Sequence, residues 1–336
     1  MIEEVELPAA REHRLYWWKE AAIIAVFYAV YSAARNQFGS ALVDVGQEPT
    51  HAFNNAMRVI RWERALGLFH EETVQDWFLP YKGFIQFWNT FYGTAHFVVT
   101  IGVFIWLFRR DRAEFPRWRN ALALTTALAI VGFSLFPLMP PRLLNNDSEY
   151  GGQRIAIEEG YENFGFVDTL EEYGGPWSFD SGAMQDVSNQ YAAMPSLHIG
   201  WATWCALVTF TLTKKRWARV LACLYPAATL FTIVVTGNHF WLDGVGGLVA
   251  LGTGYAIGAQ LHAWNQRRLT LRHERDLARR ALGDDDQPGG TAVTVDEPHD
   301  LPSGSLIGRG ARTDPSAVGP PLAGRDRAGG AVRRDP

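Results

Sequence analysis

The chain has 336 residues, room for one large domain or two small ones, and 48% of them are hydrophobic or aromatic. A net charge of -4, with no basic stripe interleaved with aromatics, argues against a nucleic-acid partner. The 2 cysteines, Cys205 and Cys223, fall in apolar windows and read as small core residues rather than a disulfide or a metal site.

In chain order, residues 1–17 form a short N-terminal segment. The first apolar run, Trp18–Phe38, follows Arg11, Arg14 and Lys19 but is long and lacks a small-residue cleavage site, so it reads as a retained helix. Residues 51–83 read as amphipathic helices outside the core that cover the bundle or lie at the interface. There Ala56, Val59, Ile60, Ala65, Leu66 and Leu68 give a partial apolar stripe, with Arg58, Arg61, Glu63 and Arg64 at the polar positions. Further spans follow at Phe84–Phe108 and Trp118–Leu138. The loop at 143–194, long and rich in Gly and acids, is expected to cap a site. Leu197–Thr213, Trp217–Val235 and Phe240–Trp264 complete a predicted set of six spans, each set against the requirement of about 20 apolar residues. Trp17, Trp18, Trp118, Trp217 and Trp264 fall near span ends, where interfacial aromatics gather.

The predicted fold class is therefore all-α: a polytopic membrane bundle of six transmembrane helices plus short interfacial helices, occupying residues 18–265. Residues 266–336 are expected to form a cytoplasmic tail, mostly disordered where Gly, Pro, Asp and Arg take over after position 283.

Loop charge orients the bundle. Arg109, Arg110, Arg112, Arg117 and Arg119 lie between the second and third spans, Lys214, Lys215, Arg216 and Arg219 between the fourth and fifth, and Arg267, Arg268, Arg272 and Arg275 after the sixth. From Asn145 to Met194 the sole basic residue is Arg154. The positive-inside rule then predicts a multi-pass protein of the cell membrane with both termini in the cytoplasm. Arg142, His198, His239 and Asp243 would all lie at the outer face.

Charged and imidazole groups at a membrane border are costly, which marks them as a candidate site. His239 and Asp243 are four apart and share a helix face, so Asp243 can accept the Nδ1 proton of His239 and leave Nε2 free to attack phosphorus. The bland alternative is a structural hydrogen bond at a helix end. Thr236-Gly237-Asn238 breaks the preceding helix and lets a phosphate approach the backbone. Pro195-Ser196 reads as a helix start with Ser196 as the N-cap, and the first-turn amides at Ser196 and Leu197 are candidates to bind an anion. His198 in that turn suits an acid/base role or, equally, a cap on its own helix. Pro140-Pro141 end the third span and hold Arg142 near the interface, as a bidentate phosphate fork or a snorkelling arginine. Asn89, Tyr92 and His96 share a face of the second span. His96, near mid-depth, either contacts a lipid substrate or joins a buried packing network.

With Asn89-x-x-Tyr92-x-x-x-His96, Pro140-Pro141-Arg142, Pro195-Ser196-Leu197-His198 and Gly237-Asn238-His239-x-x-x-Asp243 in view, the chain resembles the type 2 phosphatidic acid phosphatase superfamily over about residues 60–260. Within it, the likeness is to the branch that contains inositol phosphorylceramide synthases. The resemblance implies metal-independent, cofactor-free transfer through a phosphohistidine, with His239 as nucleophile, Asp243 as its partner, His198 as acid/base and Arg142 on the phosphate. Two features of the superfamily pattern are missing: a lysine before Arg142, and Ser-Arg ahead of the nucleophile, where Thr232-Ile233 stand. The synthase branch shares these losses. They leave more of the phosphate binding to the amides of Ser196 and Leu197 and to Asn238.

The expected function is transfer of a phospholipid headgroup phosphate, phosphoinositol among the candidates, to a hydroxyl acceptor. Hydrolysis of a lipid phosphate or polyprenyl diphosphate, with water as acceptor, is the alternative. A non-catalytic membrane scaffold or transporter is the rival from another class; a bis-histidine haem protein is disfavoured because His96 lies deep and His198 and His239 at span ends. The expected partners are a membrane phospholipid or polyprenyl phosphate and the bilayer itself.

Overall fold

The computed structural model describes residues 16–38, 49–174 and 190–281. The predicted N-terminal segment up to residue 15, part of the long loop and the tail beyond residue 281 lie outside the described residues. What is described is helical: α1 (Trp17–Phe38), α2 (Thr50–Leu66), α3 (Glu71–Phe78), α4 (Lys82–Arg110), α5 (Phe115–Leu135), α6 (Gln153–Glu158), α7 (Thr169–Glu172), α8 (Leu197–Leu212), α9 (Arg216–Val235) and α10 (Trp241–Ala281), with a 3-10 turn at Pro141–Leu143. Among these residues the sole β feature is an isolated parallel bridge between Leu138 and Ala192.

Length and composition qualify four helices to cross a membrane, α4, α5, α9 and the Trp241–Arg279 stretch of α10, where six spans were predicted. The 16-residue α8 is apolar, but at 1.5 Å per residue it covers about 24 Å of a hydrocarbon core roughly 30 Å thick. α1 carries Lys19, Glu20 and Arg35 and is not among the four. Its Glu20 pairs with Arg119, which docks α1 on the first turns of α5. The third predicted span also shifts. Its helix runs Phe115–Leu135, so Arg117 and Arg119 belong to a helix rather than a loop. Phe136, ahead of Pro137, leaves the helical region at φ -138° and ψ 67°, because the residue before a proline is pushed out of it.

Small residues let these helices approach. A side chain at Gly254 or Gly258 of α10 would collide with the backbone of α5 at Thr125 or Ala121, and one at Gly247 with the carbonyl of Ser196 ahead of α8. Close backbone approach of this kind is how helices gain packing energy where lipid is as apolar as the side chains. Several threonine hydroxyls in the bundle are satisfied within their own helices, as in Thr125 Oγ1 to the Ala121 carbonyl (2.7 Å) and Thr229 Oγ1 to that of Tyr225 (2.9 Å). Val98, Ile101 and Ile105 of α4, Val220, Leu221 and Leu224 of α9, and Val245, Leu248 and Val249 of α10 are exposed, as a lipid-facing belt requires.

The predicted amphipathic segment forms α2 and α3. The apolar face of α2, Phe53, Ala56, Met57, Val59 and Ile60, is buried against Leu138 and Met139, which follow α5, and against Leu143, Leu144, Ile155 and Phe166 of the long loop. It covers one end of the bundle. One position departs from the expected pattern: Glu63, assigned to the polar face, is 0% exposed.

Candidate active site

The end of α9 aims the site. Gly237, at φ 66°, donates its N–H to the Val234 carbonyl, and Asn238 donates to that of Ile233; these two bonds end α9 and turn the chain back on itself. A Cβ at Gly237 would press on Gln75 Nε2 and on the Cβ and N of Arg142, so both the turn and the close approach require glycine. The turn delivers His239 just ahead of α10. There His239 Nδ1 lies 3.2 Å from Asp243 Oδ2, the i,i+4 pairing read from the sequence. The Phe240 N–H donates to the same oxygen at 3.0 Å, which fixes the carboxylate. His239 is 3% exposed and Asp243 0%.

The opposite ring nitrogen, His239 Nε2, faces Ser196 Oγ at 3.5 Å. Ser196 sits at the N-cap of α8 but makes no side-chain capping bond. Its amide donates to the Asp243 carbonyl at 2.9 Å, which ties the starts of α8 and α10 together. The Ser196 N–H, expected among the anion-binding amides, is thus engaged within the fold, and Leu197 is the residue that opens the helix. First-turn amides there have no intrahelical acceptor.

His198 stacks on Tyr92 with ring centroids 4.3 Å apart, lies 5.7 Å from the His239 ring, and its Nε2 has no hydrogen-bond partner among the described residues. His96 lies 4.4 Å from His198, centroid to centroid, with its Nδ1 3.0 Å from the Tyr92 carbonyl oxygen. The separation in depth expected between His96 and His198 is thus corrected. The first turn of α8 packs beside the middle of α4, so distance from a span end is a poor measure of depth. Phe91, Tyr92, His96, His198, Tyr225, Thr229, Thr232 and Ile233 line a narrow cleft there.

Asn89 behaves differently from its two helix-face neighbours. Its amide donates to the carbonyls of Thr169 (2.7 Å) and Gly174 (3.1 Å), and its oxygen accepts from Thr169 Oγ1 (3.1 Å), so it holds α7 against the bundle.

Arg142 is held on all sides. Its backbone N–H donates to the Gly237 carbonyl at 2.8 Å, Nε to Asn238 Oδ1 at 3.1 Å, Nη1 to Asp168 Oδ2 at 2.5 Å and Nη2 to Gln190 Oε1 at 2.5 Å. Asn238 is braced in turn by Thr236 Oγ1 at 2.8 Å. The guanidinium therefore sits against the residues just before His239. Asp168 and Gln190 were not singled out from the sequence. Asp168 was legible as a helix cap, accepting from Leu170 and Glu171 N–H, but its choice of Arg142 was not. Glu63, Glu71 and Gln75 were also missed, although all three are 0% exposed. Gln75 grips the Val167 backbone through both amide atoms, at 3.1 and 2.9 Å.

A carboxylate-held imidazole with its other nitrogen turned towards a second imidazole, beside a fixed guanidinium, has the parts for phosphoryl transfer. A family model described as the PAP2 superfamily matches residues 57–257, well over half of the chain. The chain belongs to the PAP2 superfamily. Membership marks it as a membrane enzyme of the phosphatase or phosphotransferase type. The PAP2 match spans α2 to α10 and takes in every residue of the cluster. Neither a curated protein nor a solved structure matches the chain significantly.

Proposed function

We propose that this PAP2-superfamily member transfers a phospholipid headgroup phosphate, phosphoinositol among the candidates, to a hydroxyl acceptor through a phosphohistidine on His239. The observation that carries the reading is the buried Asp243–His239 pair, with Nε2 of the imidazole on the side of Ser196 and His198. In the first step Nε2 attacks phosphorus and the lipid alcohol leaves with a proton from His198. In the second, His198 takes the proton of the incoming hydroxyl as its oxygen attacks the phosphohistidine and restores His239. Arg142, with Asn238 and the Leu197 amide, would bind the phosphoryl oxygens. No step calls for a metal. We place the site at the outer face of a six-span bundle in the cell membrane, with both termini in the cytoplasm. The loop charges support that orientation, and α1 and the short α8 would supply the two spans beyond the four that length and composition qualify.

The test is incubation of the purified protein with phospholipids labelled in the headgroup phosphate, with and without hydroxyl acceptors, followed by quenching in alkali. Acid-labile label on the wild-type chain, absent from His239→Ala, is expected. A new phosphodiester lipid marks transfer, and free headgroup phosphate marks hydrolysis. An unlabelled protein with every phospholipid and polyprenyl phosphate class rejects the mechanism.

A further inference from the structure

Three carboxyl groups converge on the first turn of α10. The N–H of Phe240 donates to Asp243 Oδ2 at 3.0 Å, that of Trp241 to Glu71 Oε1 at 3.2 Å and that of Leu242 to Glu63 Oε1 at 2.8 Å. A helix start has N–H groups without intrahelical acceptors and a positive dipole end, so acidic caps suit it. Here two of the caps arrive from 170 and 179 residues away in sequence, on α3 and α2. All three carboxyl groups are 0% exposed. No basic side chain forms an ion pair with Glu63 or Glu71 among the described residues, and Arg58, Arg61 and Arg64 of α2 are exposed.

Three buried carboxylates within one turn repel one another and lack water, so protonating one relieves the cluster. Burial first, then hydrogen bonding to Glu71 and the charges of Glu71 and Asp243, push Glu63 from the ordinary 4.5 up to about 9. The remaining oxygens, Oε2 of Glu63 and Oε2 of Glu71, have no hydrogen-bond partner among the described residues, and a proton on one of the two carboxyl groups would give it a donor for the other. The groups facing Glu63 are thus Glu71 from α3 and Asp243 from α10, with His239 behind Asp243.

We propose that Glu63 and Glu71 form a proton-sharing acid pair that positions the transfer site, clamping the first turn of α10 from outside so that His239 and Asp243 keep their mutual geometry. Neither acid reaches a reacting atom; both are positioning residues. α3 couples the clamp to the other side of the site, because Glu71 holds Trp241 while Gln75, one turn on, holds Val167 beside Asp168. The proposal rests on the reading of His239 as nucleophile, but the clamp itself is readable without it.

The test uses the full chain in detergent as wild type, Glu63→Ala and Glu63→Gln, with two readouts: amide hydrogen exchange over residues 239–243, and phosphate release from dioleoyl phosphatidic acid in mixed micelles. Glu63→Ala is expected to lose at least about tenfold exchange protection there, and about a hundredfold in kcat with KM within about threefold. Glu63→Gln, whose carbonyl still accepts from Leu242 and whose amide donates to Glu71, is expected to restore both readouts to within about threefold and to abolish the fall in kcat expected of the wild type as pH rises through about 9. Wild-type exchange and turnover in Glu63→Ala, or a Gln variant as impaired as Ala on both, would overturn the clamp. If the wild type releases no phosphate, hydrolysis of this lipid is excluded while the exchange data still decide the clamp.

Discussion

Arg142 Nη1 donates to Asp168 Oδ2 at 2.5 Å, and the two side chains are only 12% and 7% exposed. A carboxylate thus occupies the guanidinium proposed to bind phosphate, and the two anions compete for one cation. Asp168→Asn can keep the cap on α7 through its single carbonyl oxygen, but it turns a donor NH2 towards Arg142 and so removes both the charge and that hydrogen bond. The expected result is a several-fold lower KM for phosphatidic acid with kcat nearly unchanged; an unchanged or raised KM would show that Asp168 does not compete.

The same pair makes a stability prediction. Removing one partner strands the other as a buried charge, at about 3–5 kcal/mol. Arg142→Ala and Asp168→Ala should each lower the melting temperature, and the double variant should recover part of the loss. Additive losses in that double-mutant cycle would mean the pair contributes little coupling.

Asp243→Asn preserves the shape of the His239 partner but not its ability to hold the right tautomer. By analogy with an Asp-His pair in a triad, turnover should drop by about 10³–10⁴-fold, with little change in melting temperature. Rapid-quench labelling should show slower formation of the phosphohistidine rather than slower breakdown alone.

Gly247 of α10 packs against the Ser196 carbonyl, where a methyl group has no room, whereas Gly252 faces open space. Gly247→Ala should push α8 from α10, separating Ser196 and His198 from His239. We expect a lower melting temperature and at least about a tenfold loss of kcat. Gly252→Ala should hold or slightly raise stability, by up to about 1 kcal/mol from helix propensity. Equal effects of the two would rule out a packing origin.

Glu63 links stability to pH. Its folded-state value of about 9 lies above the ordinary 4.5, so the folded protein holds this proton more tightly throughout that window. The stabilisation is complete below the lower value and is lost as pH rises through the upper one. Thermal melts of the wild type and Glu63→Gln, compared from pH 5 to pH 9, should therefore diverge, with the Gln variant gaining relative stability towards alkaline pH. A constant difference would show that Glu63 ionises normally.

What the sequence by itself determined is local in origin. Apolar run length located α4, α9 and the start of α10 to within a few residues, and the four-residue spacing of His239 and Asp243 specified their contact across the start of α10. Gly237 announced the break that aims His239. These features depend on backbone geometry over a few residues, which the chain carries wherever it folds. Tertiary structure alone decided that Arg142 meets Asp168 and Gln190, that Ser196 turns its hydroxyl to His239 instead of capping α8, that His96 lies against His198, and that Glu63 and Glu71 are buried on the start of α10. Each of those pairings spans tens to nearly two hundred positions and follows from how helices of unequal length stack. Periodicity reports which face of a helix is polar, but not whether that face meets water or a second helix end with amides to satisfy.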